Sequence, residues 1–463
     1  MRHIYIILVI SLIHFYSASQ LSKNVFLLDN WTTDTLAISQ NGTKFNETWG
    51  FLHNGIEYGV IGSTEGTHIF ELTNDDRLNP VAFVRGNFSS PQVVHRDYHD
   101  YKGYLYAVCD EGNSSLQIID LSYLPDSVHV VVNDSVNFGR VHNIFIDSSS
   151  ALLYACIFTP NMGNPTFSYT SIKVFSLADP LNPVEVFGGF QDIAEVHDAH
   201  VVNDTAYLNC GFDGLRIYNF ANPSNPVLLG SLQIYQDQGY NHSGWLSPNR
   251  KTYYFVDETG GKRLKKVDVS DVSNPTITAL FGSNFLNNSI AHNVMANANL
   301  IFVSYYNEGL RIFDTRFQPP REIAYYDTYP TQDSYKMNGA WGVYSLLPSK
   351  RILVSDIQNG LFLFHFDHHV FEAPPSKDIF RVYPNPSKHG EQVIFRFNER
   401  DITKIRFYLF DNLGKLVYTM ESKEQDYWTL SLELAAGSYN YSVYYQNSLQ
   451  QESLRQGHVV VMD

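Results

Sequence analysis

The sequence predicts an all-β protein: a seven-bladed β-propeller with four-stranded blades, followed by a small C-terminal β-sandwich. Three observations carry this expectation. A module marked by His and Asp recurs about seven times at a spacing of about 45–55 residues, as expected when one supersecondary unit is copied along a chain. Each copy holds four short strand-like runs separated by turn residues. Aromatic residues make up 14% of the 463 residues and charged residues only 17%, a profile richer in Tyr and Phe than that of an average helical enzyme.

The clearest copy reads His197-Asp198-Ala199-His200-Val201-Val202, then Tyr207-Leu208-Asn209-Cys210, Gly214-Leu215-Arg216-Ile217-Tyr218-Asn219 and Asn225-Pro226-Val227-Leu228-Leu229-Gly230. In the sixth copy the four strands begin at Asn293, Leu300, Leu310 and Glu322, and the third alternates apolar and polar residues as a half-buried strand does. Asn307-Glu308-Gly309, Asp213-Gly214 and Asn359-Gly360 lie between second and third strands, where tight hairpins demand positive φ. Asn-Pro at 79–80, 182–183, 225–226 and 274–275 places proline at the start of an outer strand, where its missing N–H does little harm. Radial closure of such units removes long exposed sheet edges.

Seven first-strand markers follow in order: Trp49-Gly50, Arg96-Asp97, His142-Asn143, His197-Asp198, His242, His292-Asn293 and Asn338-Gly339-Ala340-Trp341. The last blade ends near Gly360-Leu361-Phe362-Leu363-Phe364 without a fourth strand, and Val25-Phe26-Leu27-Leu28, ahead of the first blade, is expected to supply it and lock the ring. Cys109, Cys156 and Cys210 occupy equivalent places in successive repeats and are expected to be buried small hydrophobes.

Four segments are expected: a leader at 1–19, the propeller at 20–366, a linker at 367–377 and the C-terminal domain at 378–463. Arg2 and His3 precede an apolar run from Ile4 to Phe15, and Ser17-Ala18-Ser19 offers a cleavage point before Gln20, the layout of a secretory signal peptide. No later run is long and apolar enough to span a membrane, so the mature protein is expected to be exported without a transmembrane segment. The formal net charge of -15 argues against nucleic-acid binding. Asn-x-Ser/Thr sequons such as those at Asn46, Asn87 and Asn203 are read as chance in an Asn-rich surface.

The third-to-fourth-strand pattern Gly-Leu-x-Ile-x-Asp/Asn…Asn-Pro-Val resembles the LVIVD repeat. The series His142-Asn143, His197-Asp198, His242-x-Gly244-Trp245-Leu246, His292-Asn293 and Asn338-Gly-Ala-Trp341 resembles the secreted propellers called choice-of-anchor B proteins, over roughly residues 22–366. This chain has His95 and Ala291 where members of that family often carry Trp and Asp. The resemblance implies a fold and an address rather than a chemistry. In the tail, Tyr383-Pro384-Asn385-Pro386, the Asn412-Leu413-Gly414 turn and Gly437-x-Tyr439 resemble the type A C-terminal sorting domain of the type IX secretion system of Bacteroidota. That resemblance implies passage through the type IX translocon, cleavage by its sortase, and surface attachment or release. The final Val459-Val460-Val461-Met462-Asp463 lacks the basic residues common at such ends.

Catalytic motifs such as His-Glu-x-x-His, Gly-x-Ser-x-Gly, the phosphate loop and the dinucleotide fingerprint are absent from the sequence. The one constellation is the set of first-strand markers. His95, His142, His197, His242 and His292 are expected at one mouth of the central channel, with Asp97, Asn143, Asp198, Asn293, Asn338 and Trp341 near them. Two readings stand. In one these side chains link blades by hydrogen bonds, and the protein is a secreted or cell-surface binding scaffold for an extracellular glycan, protein or small molecule. In the other, His197, His242 and His292 ligate Cu, Zn or Ni, and the protein is a metal-dependent oxidase or hydrolase. Asp110, Glu111 and Asp213 are expected as solvated turn carboxylates, and His365, Asp367, His368 and His369 as solvated residues in and beside the linker.

Overall fold

The structure, a computed structural model, describes residues 22–39, 42–161, 169–283, 288–330, 337–366, 380–397, 402–423, 427–431, 434–447 and 452–462. They fall into two compact units, within residues 1–371 and 372–463. Among the described residues both units are all-β, and no helix is long and apolar enough to cross a membrane. The leader at 1–19 and the linker residues Asp367, His368 and His369 lie outside the described residues.

The first unit is a seven-bladed propeller. Blades 1 to 6 span residues 45–85, 96–134, 143–187, 198–232, 241–281 and 293–326, each a four-stranded antiparallel meander. Blade 7 takes Ala340–Tyr344, Ile352–Asp356 and Gly360–Phe366 from the end of the unit and Val25–Trp31 from its beginning. That closing strand runs antiparallel to the third, from Val25 opposite Phe366 to Trp31 opposite Leu361, as the sequence predicts. Each first strand packs on the first strand of the next blade, and the seventh packs on the first, so the circle is closed.

Burial follows position in the blade. Inner strands are covered on both faces by neighbouring blades, so they read as unbroken apolar runs; Leu300–Tyr305 is buried throughout. Cores lie between blades, as where Tyr154, Cys156 and Val174 of blade 3 meet Ala199, Val201 and Leu208 of blade 4. Fourth strands such as Val227–Leu232 sit at the rim and are partly exposed. All three cysteines are buried free thiols.

Two features go beyond the sequence reading. The pairing of third and fourth strands slips register in every blade, for example at Ile69/Phe70, Ile217/Tyr218 and Ile312/Phe313, and such bulges increase local twist. Ser22–Lys23 also adds to the outer edge of blade 6, with Ser22 opposite Tyr326. The chain then crosses to blade 7 through Asn24, which adopts φ +56°, a conformation Asn tolerates better than most residues. Its amide donates to the Ile323 carbonyl at 2.7 Å.

The second unit is a sandwich. One sheet holds Phe380–Tyr383, Gln392–Phe397 and Tyr427–Ser431; the other holds Ser387–Lys388, Glu452–Met462, Gly437–Asn447, Ile402–Phe410 and Leu416–Lys423. Phe395 and Trp428 of the first sheet pack on Phe407, Val443 and Val459 of the second. Asn385 holds the last strand, donating to His458 O at 2.9 Å and accepting from Val460 N at 2.8 Å. The Tyr439 hydroxyl donates to Ala435 O at 2.8 Å.

Candidate functional site

A propeller's first strands each have one unpaired edge, and in this ring that edge faces the central channel. The exposed backbone groups must be satisfied by something other than a strand. Here the residues at the start of each first strand do this for the next blade. Asp97 of blade 2 accepts from Ile144 N at 2.6 Å. Asn143 of blade 3 donates to His197 O at 3.3 Å, and His197 Nδ1 of blade 4 lies 3.1 Å from His242 O. His292 Nδ1 of blade 6 lies 2.7 Å from Trp341 O. Blade 7 has Gly342 at the corresponding position, and Asn293 reaches past it to donate to Glu47 Oε2 of blade 1 at 2.6 Å. A Cβ on Gly342 would run into the Glu47 carboxylate and displace it.

These residues form three levels along the channel. At the mouth, six rings make a closed circuit. Consecutive centres are 4.7 Å apart for His95–His142, 4.4 Å for His142–His197, 4.0 Å for His197–His242, 4.3 Å for His242–His292, 4.4 Å for His292–Trp341 and 5.2 Å for Trp341–His95. The space inside is about 10 Å³, at the lower limit of room for one water. Below lies a chamber of about 60 Å³ lined by Glu47, Asp97 and Asp198 together with Asn143, Ser243 and Asn293. At its far side Trp49, His99, Phe145, His200 and Trp245 form a second aromatic collar, with successive centres 4.3–5.1 Å apart in that order, and Tyr344 packs on Trp49 at 4.9 Å.

Burial sets the charge states. The chamber withholds water from its carboxylates, so desolvation pushes Glu47 up to about 8 and Asp198 up to about 7, and raises Asp97 well above the usual carboxylate range, with help from the neighbouring Glu47 charge. Desolvation acts in the opposite direction on imidazoles. It lowers His197 and His242 well below the ordinary histidine value and His292 to about 3, and the neighbouring ring histidines add to the effect. In the lower collar His200 is held at about 3 for the same reason.

The structure brings together His95, His142, His197, His242, His292 and Trp341 at the mouth, with Asp97, Asn143, Asp198 and Asn293 directly below. Asn338 does not join them. It precedes Gly339, whose φ of +94° turns the chain into the blade 7 first strand, and its side chain accepts from Gln358 at 3.0 Å. In blade 1 the register is three residues earlier than the Trp49-Gly50 marker implies: Glu47 faces the chamber and Trp49 belongs to the lower collar.

Two turn carboxylates expected to be solvated are instead partners of the ring. Glu111 Oε1 lies 2.8 Å from His95 Nδ1, and Asp110 Oδ2 lies 2.8 Å from His142 Nδ1. Glu258, which the sequence reading did not single out, sits 3.8 Å from His242 Nε2. A signal for all three existed. Antiparallel pairing sets Arg96 opposite Cys109 and Asn241 opposite Asp257, so residues just after a second strand must flank the residues that open the first.

No family model matches the chain, and no curated protein matches it in sequence. Solved structures are similar to it at low identity. The extracellular domain of the one component system BT4673 from B. thetaiotaomicron is 12% identical with a TM-score of 0.46, over 91% of this chain and 57% of that one. The Cps50 (Swd1) β-propeller domain of Myceliophteria thermophila is 10% identical with a TM-score of 0.47, over 69% of this chain and 99% of that one. The present chain therefore spans little more than half of the BT4673 domain.

Proposed function

We propose that this protein is a secreted or cell-surface propeller that acts as a binding scaffold and meets its ligand on the face around the channel mouth. The observation that carries this reading is the closed channel. A chamber of about 60 Å³ behind a mouth of about 10 Å³ is far below the roughly 300–1,000 Å³ of pockets that enclose organic ligands. The polar residues in the channel are engaged in holding blades together, which leaves recognition to the loops above them. One such loop carries Phe212, 72% exposed, stacked edge-on against Tyr240 at 5.3 Å. Tyr240 in turn packs on His197 at 5.4 Å. An exposed aromatic with a rigid backing is an apt contact for a glycan or protein surface.

The proposed address rests on the two ends of the sequence. The leader-like residues 1–19 and the resemblance of 378–463 to a type IX sorting domain support export, with the translocon and sortase as partners. The resemblance of 22–366 to choice-of-anchor B proteins supports the same address.

The test is a binding screen of the purified protein against glycan and cell-surface protein arrays, with Phe212→Ala and Asp198→Asn beside the wild type. A ligand whose binding falls at least about tenfold in Phe212→Ala and is unchanged in Asp198→Asn supports recognition at the mouth face. A ligand lost only with Asp198→Asn would move recognition into the channel and overturn the reading. The address is tested in a Bacteroidota host. Removal of 378–463 is expected to abolish surface and medium protein, and undiminished export would refute it.

A further inference from the structure

Glu258 follows the second strand of blade 5, Thr252–Asp257, and its backbone N–H donates to Tyr240 O at 2.8 Å. This hydrogen bond turns the residue toward the first strand of its own blade, where His242 lies, and toward His292 at the head of the next blade. His242, Glu258 and His292 each present one donor atom within 4.8 Å of the other two. Both imidazoles are almost fully buried, while the Glu258 side chain is 17% exposed. The cluster thus has a path to the outside.

Two of these groups, His292 and Glu258, are held by outer partners in the orientation that a metal ligand needs. His292 Nδ1 is bound to Trp341 O at 2.7 Å. Its proton sits on that nitrogen, and the lone pair is on Nε2. In His242, Nε2 faces the carboxylate at 3.8 Å. Its Nδ1 is buried without a well-formed hydrogen bond, its nearest acceptor being the His292 carbonyl. The Tyr306 hydroxyl donates to Glu258 Oε1, which leaves Oε2 directed at His242. Outer partners of this kind fix ligand tautomer and direction in metal sites.

We propose that His242, Glu258 and His292 form a binding site for one divalent late transition-metal ion, Zn²⁺ being the type. Two imidazole nitrogens and one carboxylate oxygen are a donor set such ions accept, with a further position left for solvent. Hard cations such as Ca²⁺ take all-oxygen sets of six or more ligands, which this cluster does not offer. The second His/carboxylate group at the mouth, His95, Asp110 and His142, differs. There His142 Nδ1 is already bonded to Asp110 at 2.8 Å, so the acid and the imidazole satisfy each other. The inference stands apart from the scaffold reading, because an ion here neither requires nor excludes a ligand on the mouth face.

The test is titration of chelator-stripped, full-length protein with Zn²⁺ by calorimetry, together with a crystal structure whose anomalous signal at the zinc edge locates the ion. One ion per chain is expected between His242, Glu258 and His292. Affinity is expected to fall at least about 100-fold in Glu258→Gln, to fall about 10-fold in Tyr306→Phe, and to be unchanged in Asp110→Asn. Circular-dichroism melts check that each variant folds. If Glu258→Gln does not fold, the anomalous position and Tyr306→Phe decide the matter. An ion found elsewhere, no binding at all, or wild-type affinity in Glu258→Gln with the fold intact would overturn the proposal.

Discussion

The two sides of the mouth ring use one residue type in two ways. His95 and His142 are partly exposed and bonded to carboxylates, Glu111 and Asp110, contributed by one turn. His197, His242 and His292 are buried; His197 and His292 are bonded to backbone carbonyls of the following blade. On the first side the hydrogen bond joins two side chains near water, which competes for both partners, so its net contribution is small. On the second, it satisfies the bare edge of a strand, which is costly to leave unpaired. A histidine repeated around a propeller is therefore not one device copied; each copy acquires its role from what the neighbouring blade leaves unsatisfied.

The largest expected effect tests that contrast directly. His197→Ala removes a buried ring and strips a partner from His242 O, and should destabilise the propeller by about 3 kcal/mol. His95→Ala should cost less than about 1 kcal/mol. Denaturant melts of the two variants measure both, and equal losses would erase the distinction between the sides. Next in size is Gly342→Ala, at about 2 kcal/mol. Its new Cβ meets Glu47 Oε1 and breaks the reach of Asn293 across blade 7; a neutral result would mean that the gap has no such role.

The chamber sharpens the comparison through pH. Because folding lowers His292 to about 3 from the ordinary 6.5, its contribution is present above pH 6.5 and is lost as pH falls toward 3. Asp198 has the opposite sign. Its folded value is raised from 3.8 to about 7, so its contribution is present below pH 3.8 and is lost as pH rises through 7. Relative to wild type, Asp198→Asn should gain Tm steadily between pH 4 and 7 and hold that gain above. The gain should reach about 2–4 °C, on the order of 1 kcal/mol. A difference independent of pH would show that Asp198 is not protonated by burial. The smallest effect is expected from Asn143→Ala, below about 1 kcal/mol, since its bond to His197 O is long at 3.3 Å; a loss as large as that of His197→Ala would make the amide link between blades 3 and 4 the equal of the imidazole link between blades 4 and 5.

Blade number, strand order and the closing strand were legible in the sequence because each blade repeats the same apolar and turn pattern. The ring histidines were legible for the same reason, as they open the repeated first strand. Glu47 was missed because blade 1 carries no histidine before it, and the Trp49-Gly50 pair that stood out lies three residues beyond the matching Asn46-Glu47. Asp110, Glu111 and Glu258 were missed as partners because a turn carboxylate has no periodicity; only antiparallel pairing reveals what it stands beside. The register slips between third and fourth strands left no trace, since the outer strands are half exposed and tolerate either face.

The closing strand also determines when the ring can exist. Asn30 donates to Leu361 O across 331 residues of chain, so blade 7 cannot form until nearly the whole propeller has emerged. Contacts of such separation form late and slowly. The strand that opens the unit thus waits, unpaired, for the strand that ends it, and the ring is sealed by its two ends together.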